Sequence, residues 1–292
     1  MKFLITGADG QLGGEFAKEL EKRKLNYLAL GREDLDITDF KKIQKAVADF
    51  KPDFLINCAA YNDVDRAEED WQTAFLVNGI GPKNLAIAAR ENNCVLVHYS
   101  TDYVFDGKKN FPYTIADTPA PINKYGKSKL LGENFVRDFA EKYYLIRLSS
   151  VFGNNPKASF PLKLISWAKE KKELKIVDDQ FFSPTFTGDV VKATLDLIKT
   201  DAYGLYHMTN SGYCSRYEWA KYILEKIHWQ GKIIPAKSED FHSLAKRPKF
   251  SVLNNFPLKD IIGYGLPDWK EATERYLNTL STNYKSITNL RM

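Results

Sequence analysis

The sequence predicts an α/β fold: a doubly wound parallel sheet followed by a smaller C-terminal α/β part. Three observations carry that reading. Short apolar, strand-like runs alternate with amphipathic helical stretches through the first half of the chain. A glycine-rich turn joins the first run to the first helix. After Phe152 the alternation loosens into prolines, aromatics and short strands mixed with helices. Repeated β-α-β units align their strands in parallel and need helices over both faces.

Taken in order, Lys2–Thr6 is a short apolar strand, and Gln11–Lys24 puts Leu12, Phe16 and Leu20 on one helical face. Asn26–Leu30 is the second strand. Asp39–Phe50 is a helix opened by Asp39, or by Thr38 as its cap. Asp53–Asn57, after Pro52, is the third strand. A helical stretch covers Glu68–Asn92, bent or broken near Gly79–Pro82. Cys94–Tyr99 is the fourth strand, Asn123–Lys142 a helix and Tyr143–Ser149 the fifth strand. Further helices are expected at Ser159–Glu170, Gly188–Lys199 and Ser215–His228, and the polar tail 281–292 carries no readable signal.

The 292 residues are 44% hydrophobic and 27% charged, which fits an ordinary globular protein. The formal charge of +5 is too mild and too scattered for nucleic-acid binding. Cys58, Cys94 and Cys214 are odd in number and lack CxxC spacing, against a disulfide framework or a zinc site. Lys2–Ile5 runs straight into the glycine turn with no signal-peptide pattern, and no apolar run approaches the roughly 20 residues of a membrane span. A cytoplasmic protein without nucleic-acid or membrane partners is expected.

The turn Thr6–Gly13 reads TGADGQLG, with Gln11 and Leu12 opening the helix. Gly7 permits the tight turn, Gly10 lets the backbone approach a pyrophosphate, and Gly13 allows close packing of helix on strand. The helix amino end then faces the phosphates with free N–H groups and a favourable dipole. Residues 1–150 are thus expected to form a Rossmann-type NAD(P)-binding domain. Residues 151–280 would form mainly the substrate-binding part, with some segments returning to the first domain. Arg32, just past the second strand, would accommodate a 2′-phosphate and favours NADPH, with NADH left open.

Two further stretches carry chemistry. "STDYVFDG", Ser100–Gly107, ends the fourth strand with hydroxyls and carboxylates, where open α/β sheets bind ligands. Tyr125 and Lys129 stand one helical turn apart on one face. A phenol is a weak acid at neutral pH, and an adjacent ammonium would lower its pKa so that it could trade a proton with a carbonyl oxygen. A helix surface gives the same spacing; the order of glycine loop, polar strand end and Tyr-x-x-x-Lys decides between the two.

The GxxGxxG spacing and that order resemble the extended short-chain dehydrogenase/reductases with their Ser/Thr–Tyr–Lys triad. The segments "NCAAYNDVDRAEED", "VNGIGPKNLA", "VDDQFFSPTFTGDVV", "GLYHMTNSGYCSRYEWA" and "AKRPKFSVLNN" are similar to the dTDP-4-dehydrorhamnose reductase family, over residues 1 to about 280. The resemblance implies NADPH-dependent reduction of the C4 keto group of a dTDP-4-keto-6-deoxy-L-hexose, for polysaccharide precursor synthesis, and leaves a homodimer open. It gives Thr101 the hydroxyl role, Tyr125 the proton and Lys129 the nicotinamide ribose. Asp36 and Ile37 would meet the adenine, and Ala59, Ala60, Tyr61 and Asn78 would line the cofactor. Val64, Asp102 and Ser150 would face the sugar. Arg247 would take a nucleotide phosphate, with a plain salt bridge as the alternative. Some members hold magnesium through glutamates, but Glu15 alone makes no site, so Mg2+ is not expected.

Three positions depart from the family pattern. Ser150 stands where a tryptophan lines the sugar pocket, Asn62-Asp63 replaces Thr-Ala, and Phe182 replaces a glycine. A lost indole removes an apolar wall that Phe182 could refill. A different 4-keto-6-deoxy sugar nucleotide therefore stays open. So does a non-catalytic role like that of the regulatory subunit of methionine adenosyltransferase. A 4,6-dehydratase would follow the threonine with Asp-Glu, and Tyr103 stands there instead. His98 reads as a core residue and His207, His228 and His242 as structural or exposed.

Overall fold

The computed structural model describes residues 1–154 and 159–283; of the tail 281–292, everything from residue 284 lies outside the described residues. The first half contains β1 (Lys2–Thr6), α1 (Gln11–Lys22), β2 (Asn26–Leu30), α2 (Phe40–Phe50), β3 (Phe54–Asn57), α3 (Arg66–Glu69), α4 (Trp71–Phe75), α5 (Gly81–Glu91), β4 (Val95–Thr101), α6 (Lys124–Phe139) and β5 (Tyr143–Leu148). There follow β6 (Val151–Phe152), α7 (Phe160–Glu170), β7 (Glu173–Val177), β8 (Phe181–Phe182), β9 (Thr185–Phe186), α8 (Thr187–Leu197), β10 (Gly204–His207) and β11 (Cys214–Ser215). The chain closes with α9 (Arg216–Lys226), β12 (Lys232–Ala236), α10 (Leu258–Ile262) and α11 (Trp269–Asn283).

Six parallel strands form the main sheet in the order β2-β1-β3-β4-β5-β10. The protein is an α/β fold of the Rossmann type. Side chains alternate across a strand, so Phe3 and Ile5 pack on one face with Phe16, Leu20 and Val190, from α1 and α8. Leu4 packs on the other with Ile43, Leu85 and Val136, from α2, α5 and α6. The strand order reverses between β1 and β3, which opens a crevice at their carboxyl ends. A second apolar core gathers Phe152, Leu164, Leu174, Trp219, Ile223 and Tyr276 beside the parallel pair β7–β12.

Two differences from the sequence reading shape the site. The helical stretch before β4 has the expected interruption near Gly79–Pro82, a widened π-type turn at Leu76–Ile80, and also an unexpected break at Asp70 that separates α3 from α4. Pro82 in the first turn of α5 has no N–H to continue the preceding helix. Strand β4 also runs two residues beyond Tyr99, because Ser100 and Thr101 stay in register with Arg147 and Leu148 of β5. Their polarity hides strand character from an apolar pattern. The cap of α2 is Asp39, whose carboxylate accepts from Lys42 N at 3.1 Å.

Candidate active site

The turn after β1 is built around its glycines. Gly7 has φ +67°, and a Cβ there would stand 2.5 Å from Ala59 N; one on Gly13 would stand 2.3 Å from the Gly7 carbonyl oxygen. Both are needed for the turn itself. A Cβ on Gly10 meets only the Gly7 oxygen, at 3.2 Å, so its bareness serves the approach to the start of α1. At that approach the Gln11 Oε1 is buried with no partner among the described residues. The bare helix amino end, with its free backbone N–H groups, fits a dinucleotide pyrophosphate; the Gln11 oxygen, an acceptor, would take a hydroxyl or amide donor of the cofactor instead of a phosphate. Gly10→Val is therefore expected to melt near the wild type while binding NADPH at least tenfold more weakly, on the order of one lost charge-assisted hydrogen bond. Titration against the cofactor and a melting curve check it.

The rest of the cofactor set is distributed as follows. Arg32 is exposed just past β2, its N–H donating to Asp9 Oδ2 at 3.2 Å. The Asp36 carboxylate accepts from Thr38 N and Oγ1, which holds its pKa below the usual carboxylate range despite partial burial. Ile37 is buried. On the β3 side, Asn57 Oδ1 accepts from Thr6 Oγ1 at 2.7 Å and from Ala59 N at 3.1 Å. Those bonds fix the amide, so Asn57 Nδ2 donates to His98 Nδ1 at 2.9 Å. Burial, then the Lys129 charge, push the His98 pKa well below its usual value, so the ring is neutral. Asn78 in the π-type turn accepts from Tyr61 N at 2.8 Å and donates to Tyr61 O and Ser128 Oγ, both at 3.0 Å. It ties the loop 58–61 to α6. Ala60 is half-buried in that loop and Val64 lies half-buried beyond it.

Helix α6 sets the reactive pair. Asn123 caps it, accepting from Gly126 N at 2.7 Å. A Cβ on Gly126 would stand 2.2 Å from the Tyr103 carbonyl oxygen, so glycine lets the first turn press against the segment after β4. This brings Tyr125 beside Thr101 and its ring edge-on to Tyr103, with centroids 6.0 Å apart. Burial raises the Tyr125 pKa, opposed by the nearby Thr101 hydroxyl and reinforced by Asp102. The expectation of a phenol acidified by its lysine does not describe this arrangement. Lys129 Nζ is directed at the Tyr99 carbonyl, at 2.6 Å, and the lysine is 3% exposed. Burial lowers its own pKa to about 8, with Glu133 pulling the other way. The phenol thus stays protonated, and of the pair the lysine is the one that titrates, at about 8.

Asp102 and Arg247 are occupied differently from expectation. Asp102 is 3% exposed, and its carboxylate accepts from Thr101 Oγ1 (3.1 Å), Ser149 Oγ (2.9 Å) and Ser251 Oγ (2.5 Å). It is a buried clamp on three segments instead of a contact offered to a sugar; burial raises its pKa to about 6, with the hydroxyls opposing. Arg247 is paired with Asp65, through Nη2–Oδ2 at 2.6 Å and Nη1–Oδ1 at 3.2 Å, and that bond holds the Asp65 pKa down at about 2. The salt-bridge alternative describes it. Ser150 is half-buried at φ +42° just after β5. Phe182 is buried against Trp219 in the second core, with ring centroids 6.0 Å apart, and does not stand in for a missing pocket wall. His207, expected to be structural or exposed, is buried beside Arg147; Arg216, for which the sequence carries no signal, lies close enough to Tyr103 to act on its pKa.

A sheet that keeps its switch point open for a dinucleotide, with a protonated phenol at the next strand end, suits hydride chemistry: the chain is an NAD(P)-dependent oxidoreductase. The family model described as the RmlD substrate binding domain matches residues 1–282. The chain belongs to that family. It is similar to a dTDP-4-dehydrorhamnose reductase of Burkholderia thailandensis, 37% identical over 93% of this chain and 96% of the relative. Its fold matches the crystal structure of a dTDP-4-dehydrorhamnose reductase from Clostridium acetobutylicum, with TM-score 0.93, 40% identity and coverage of 96% and 100% of the two chains. The same enzyme from Bacillus anthracis, solved in complex with NADP, matches with TM-score 0.92 and 36% identity over 95% and 99%. Among the described residues no helix is long and apolar enough to cross a membrane.

Proposed function

We propose that the protein reduces the C4 keto group of dTDP-4-dehydrorhamnose, a dTDP-4-keto-6-deoxy-L-hexose, to dTDP-L-rhamnose with NADPH, Tyr125 delivering the proton. The placement of Tyr125 carries this reading: α6 is capped and pressed so that the phenol stands beside Thr101 at the carboxyl end of β4. The near full-length similarity to reductases of that name supports the substrate, and Arg32 past β2 supports NADPH. The loop 7–13, Gln11 and the 59–61 segment would hold the cofactor, and the bound nicotinamide would supply the hydride.

The chain's own part is proton handling and orientation. Thr101 has one proton and gives it to Asp102, while its oxygen accepts from Tyr103 N at 3.2 Å. With its proton committed, Thr101 leaves Tyr125, which stands beside it, as the group that gives a proton to the ketone oxygen. Tyr125 is kept protonated by burial. The oxygen of a ketone that receives hydride becomes an alkoxide, a far stronger base than a phenolate, so the phenol gives up its proton despite the raised pKa. Lys129 has two ammonium protons beyond the one given to Tyr99, and these would hold the nicotinamide ribose.

The lysine sets a pH limit. Its folded pKa lies below the ordinary lysine value, so in the free enzyme it loses its charge as pH rises through about 8. The value of kcat/KM for NADPH is expected to fall above that pH, and Lys129→Arg, which stays charged, is expected to remove the fall. A pH profile of both proteins measures it.

The functional reading itself is tested by following NADPH absorbance with dTDP-4-keto-6-deoxy-L-lyxo-hexulose generated in situ. Oxidation that requires both components is expected; intact NADPH binding with no oxidation would contradict it. Ser150, half-buried where the family resemblance places an indole, favours one second reading. On it, a 4-keto-6-deoxy sugar nucleotide of different ring configuration turns over faster in the same assay.

A further inference from the structure

We propose that the guanidinium edge of Arg216 binds the diphosphate of the sugar-nucleotide substrate, a role that rests on the reading of the site as a sugar-nucleotide reductase. The β8–β11 ribbon, with Cys214 opposite Phe182 and Ser215 opposite Phe181, sets the start of α9 beside the second core. Arg216 is the first residue of that helix. Its guanidinium carbon lies 4.8 Å from the centroid of the Phe160 ring and 4.8 Å from that of Phe182. Two aromatic contacts hold the planar group and leave its N–H fork as the part free to recognise an anion.

That fork is uncommitted. Among the described residues the guanidinium has no carboxylate partner and no hydrogen-bond acceptor, and the residue is half-buried. The acids around it are taken. Glu218 closes the capping box on Ser215 N at 2.7 Å, Asp65 is held by Arg247, and Asp102 by its hydroxyls. A cation in the first turn of a helix also opposes the helix dipole. Among the described residues no acid bonds to the charge placed there, and Asp102 acts on it only from a distance, so an external anion is the partner that the site would take.

The position suits the substrate. Phe182, which flanks Arg216, belongs to β8; Phe181 of that strand donates to Lys249 O at 2.8 Å and accepts from Ser251 N at 2.9 Å, and Ser251 Oγ donates to Asp102, the neighbour of Tyr103, so Arg216 lies on the Tyr103 side of the site. Tyr103 in turn is edge-on to Tyr125. A sugar ketone at Tyr125 would therefore extend past Tyr103 towards Arg216. Arg247 is paired with Asp65 while Arg216 has no ion pair among the described residues, which shifts the expected phosphate contact from Arg247 to Arg216. A doubly charged diphosphate matches a planar fork that can donate two parallel hydrogen bonds. The cofactor carries phosphates too, and it is the alternative source of the same chemistry.

The experiment measures binding without turnover, so it separates this inference from the reaction assigned above. Wild-type protein, Arg216→Met and Arg216→Lys are titrated calorimetrically with dTDP, UDP, thymidine and NADPH. Methionine keeps an apolar stem between the rings, and lysine keeps the charge without the fork. Tight NADPH binding by each variant certifies its fold. Arg216→Met is expected to bind dTDP about 30-fold more weakly than the wild type, the loss of one or two charge-assisted hydrogen bonds, with Arg216→Lys between. Thymidine and NADPH affinities should not move. Unchanged dTDP and UDP affinity in Arg216→Met would overturn the inference, as would a wild type that binds neither diphosphate. A loss confined to NADPH would assign the arginine to the cofactor and overturn it as well.

Discussion

Tyr125→Phe is expected to lower kcat about a thousandfold, within the range for removing a general acid, and to leave NADPH affinity unchanged. The substitution removes one oxygen and keeps the ring that packs edge-on against Tyr103. It leaves Asn123 capping α6 and Lys129 bonded to the Tyr99 carbonyl. The fold and the cofactor cradle therefore persist, and the oxygen that takes the incoming negative charge loses its proton source. Turnover of Tyr125→Phe within tenfold of the wild type would assign the proton to another group. Steady-state kinetics with a parallel NADPH titration distinguishes the two outcomes, because a collapsed site would lose both.

The second large effect concerns stability. Arg147→Met is expected to destabilise the fold by about 3–5 kcal/mol, the cost of leaving a buried carboxylate without its main partner. Arg147 is 0% exposed and meets Glu133, also 0% exposed, through Nε–Oε1 at 2.9 Å and Nη2–Oε2 at 2.6 Å. Ser100 Oγ donates to the same Oε1 at 2.6 Å, and Arg137 stands 3.5 Å from Oε2. The Phe105 ring lies against the Arg147 guanidinium, its centroid 5.0 Å from the central carbon. This pair locks α6 to β5 and, through Ser100, to β4 one residue before Thr101. The doubly apolar Arg147→Met/Glu133→Leu should recover most of the loss, since it removes both charges together. Chemical denaturation of the three proteins measures it; a single variant as stable as the wild type would show that the pair contributes little.

Much of this arrangement was legible in the sequence because its signals are local. The apolar runs gave the first five strands, and TGADGQLG gave the turn after β1, since Gly7 and Gly13 each answer a backbone requirement inside it. Tyr125 and Lys129 were legible as a pair because helical spacing alone puts them on one face. What stayed hidden depends on partners distant in the chain. Asp102 looked like a sugar contact, but its burial is set by Ser149 and Ser251, residues on other segments. The direction of the Tyr125 pKa could not be read from Lys129 four residues on, because the ammonium turns to the Tyr99 carbonyl and desolvation outweighs it. Arg247 carried the expected phosphate role until its pairing with Asp65, in a loop 182 residues away, was visible. Arg216 gave no signal at all: an arginine at the start of an amphipathic helix reads as solvated surface until two phenyl rings are found beside it.

The central claim is that this chain brings a nicotinamide and a sugar ketone together for direct hydride transfer. The most direct test uses NADPH deuterated at the transferring position of nicotinamide C4, the 4-keto-6-deoxy sugar nucleotide and the wild-type protein, with the product read by mass spectrometry and NMR. Stoichiometric deuterium at sugar C4 is the expected result. A reduced product carrying solvent hydrogen at that carbon, or no reduced product while the cofactor stays bound, would contradict it.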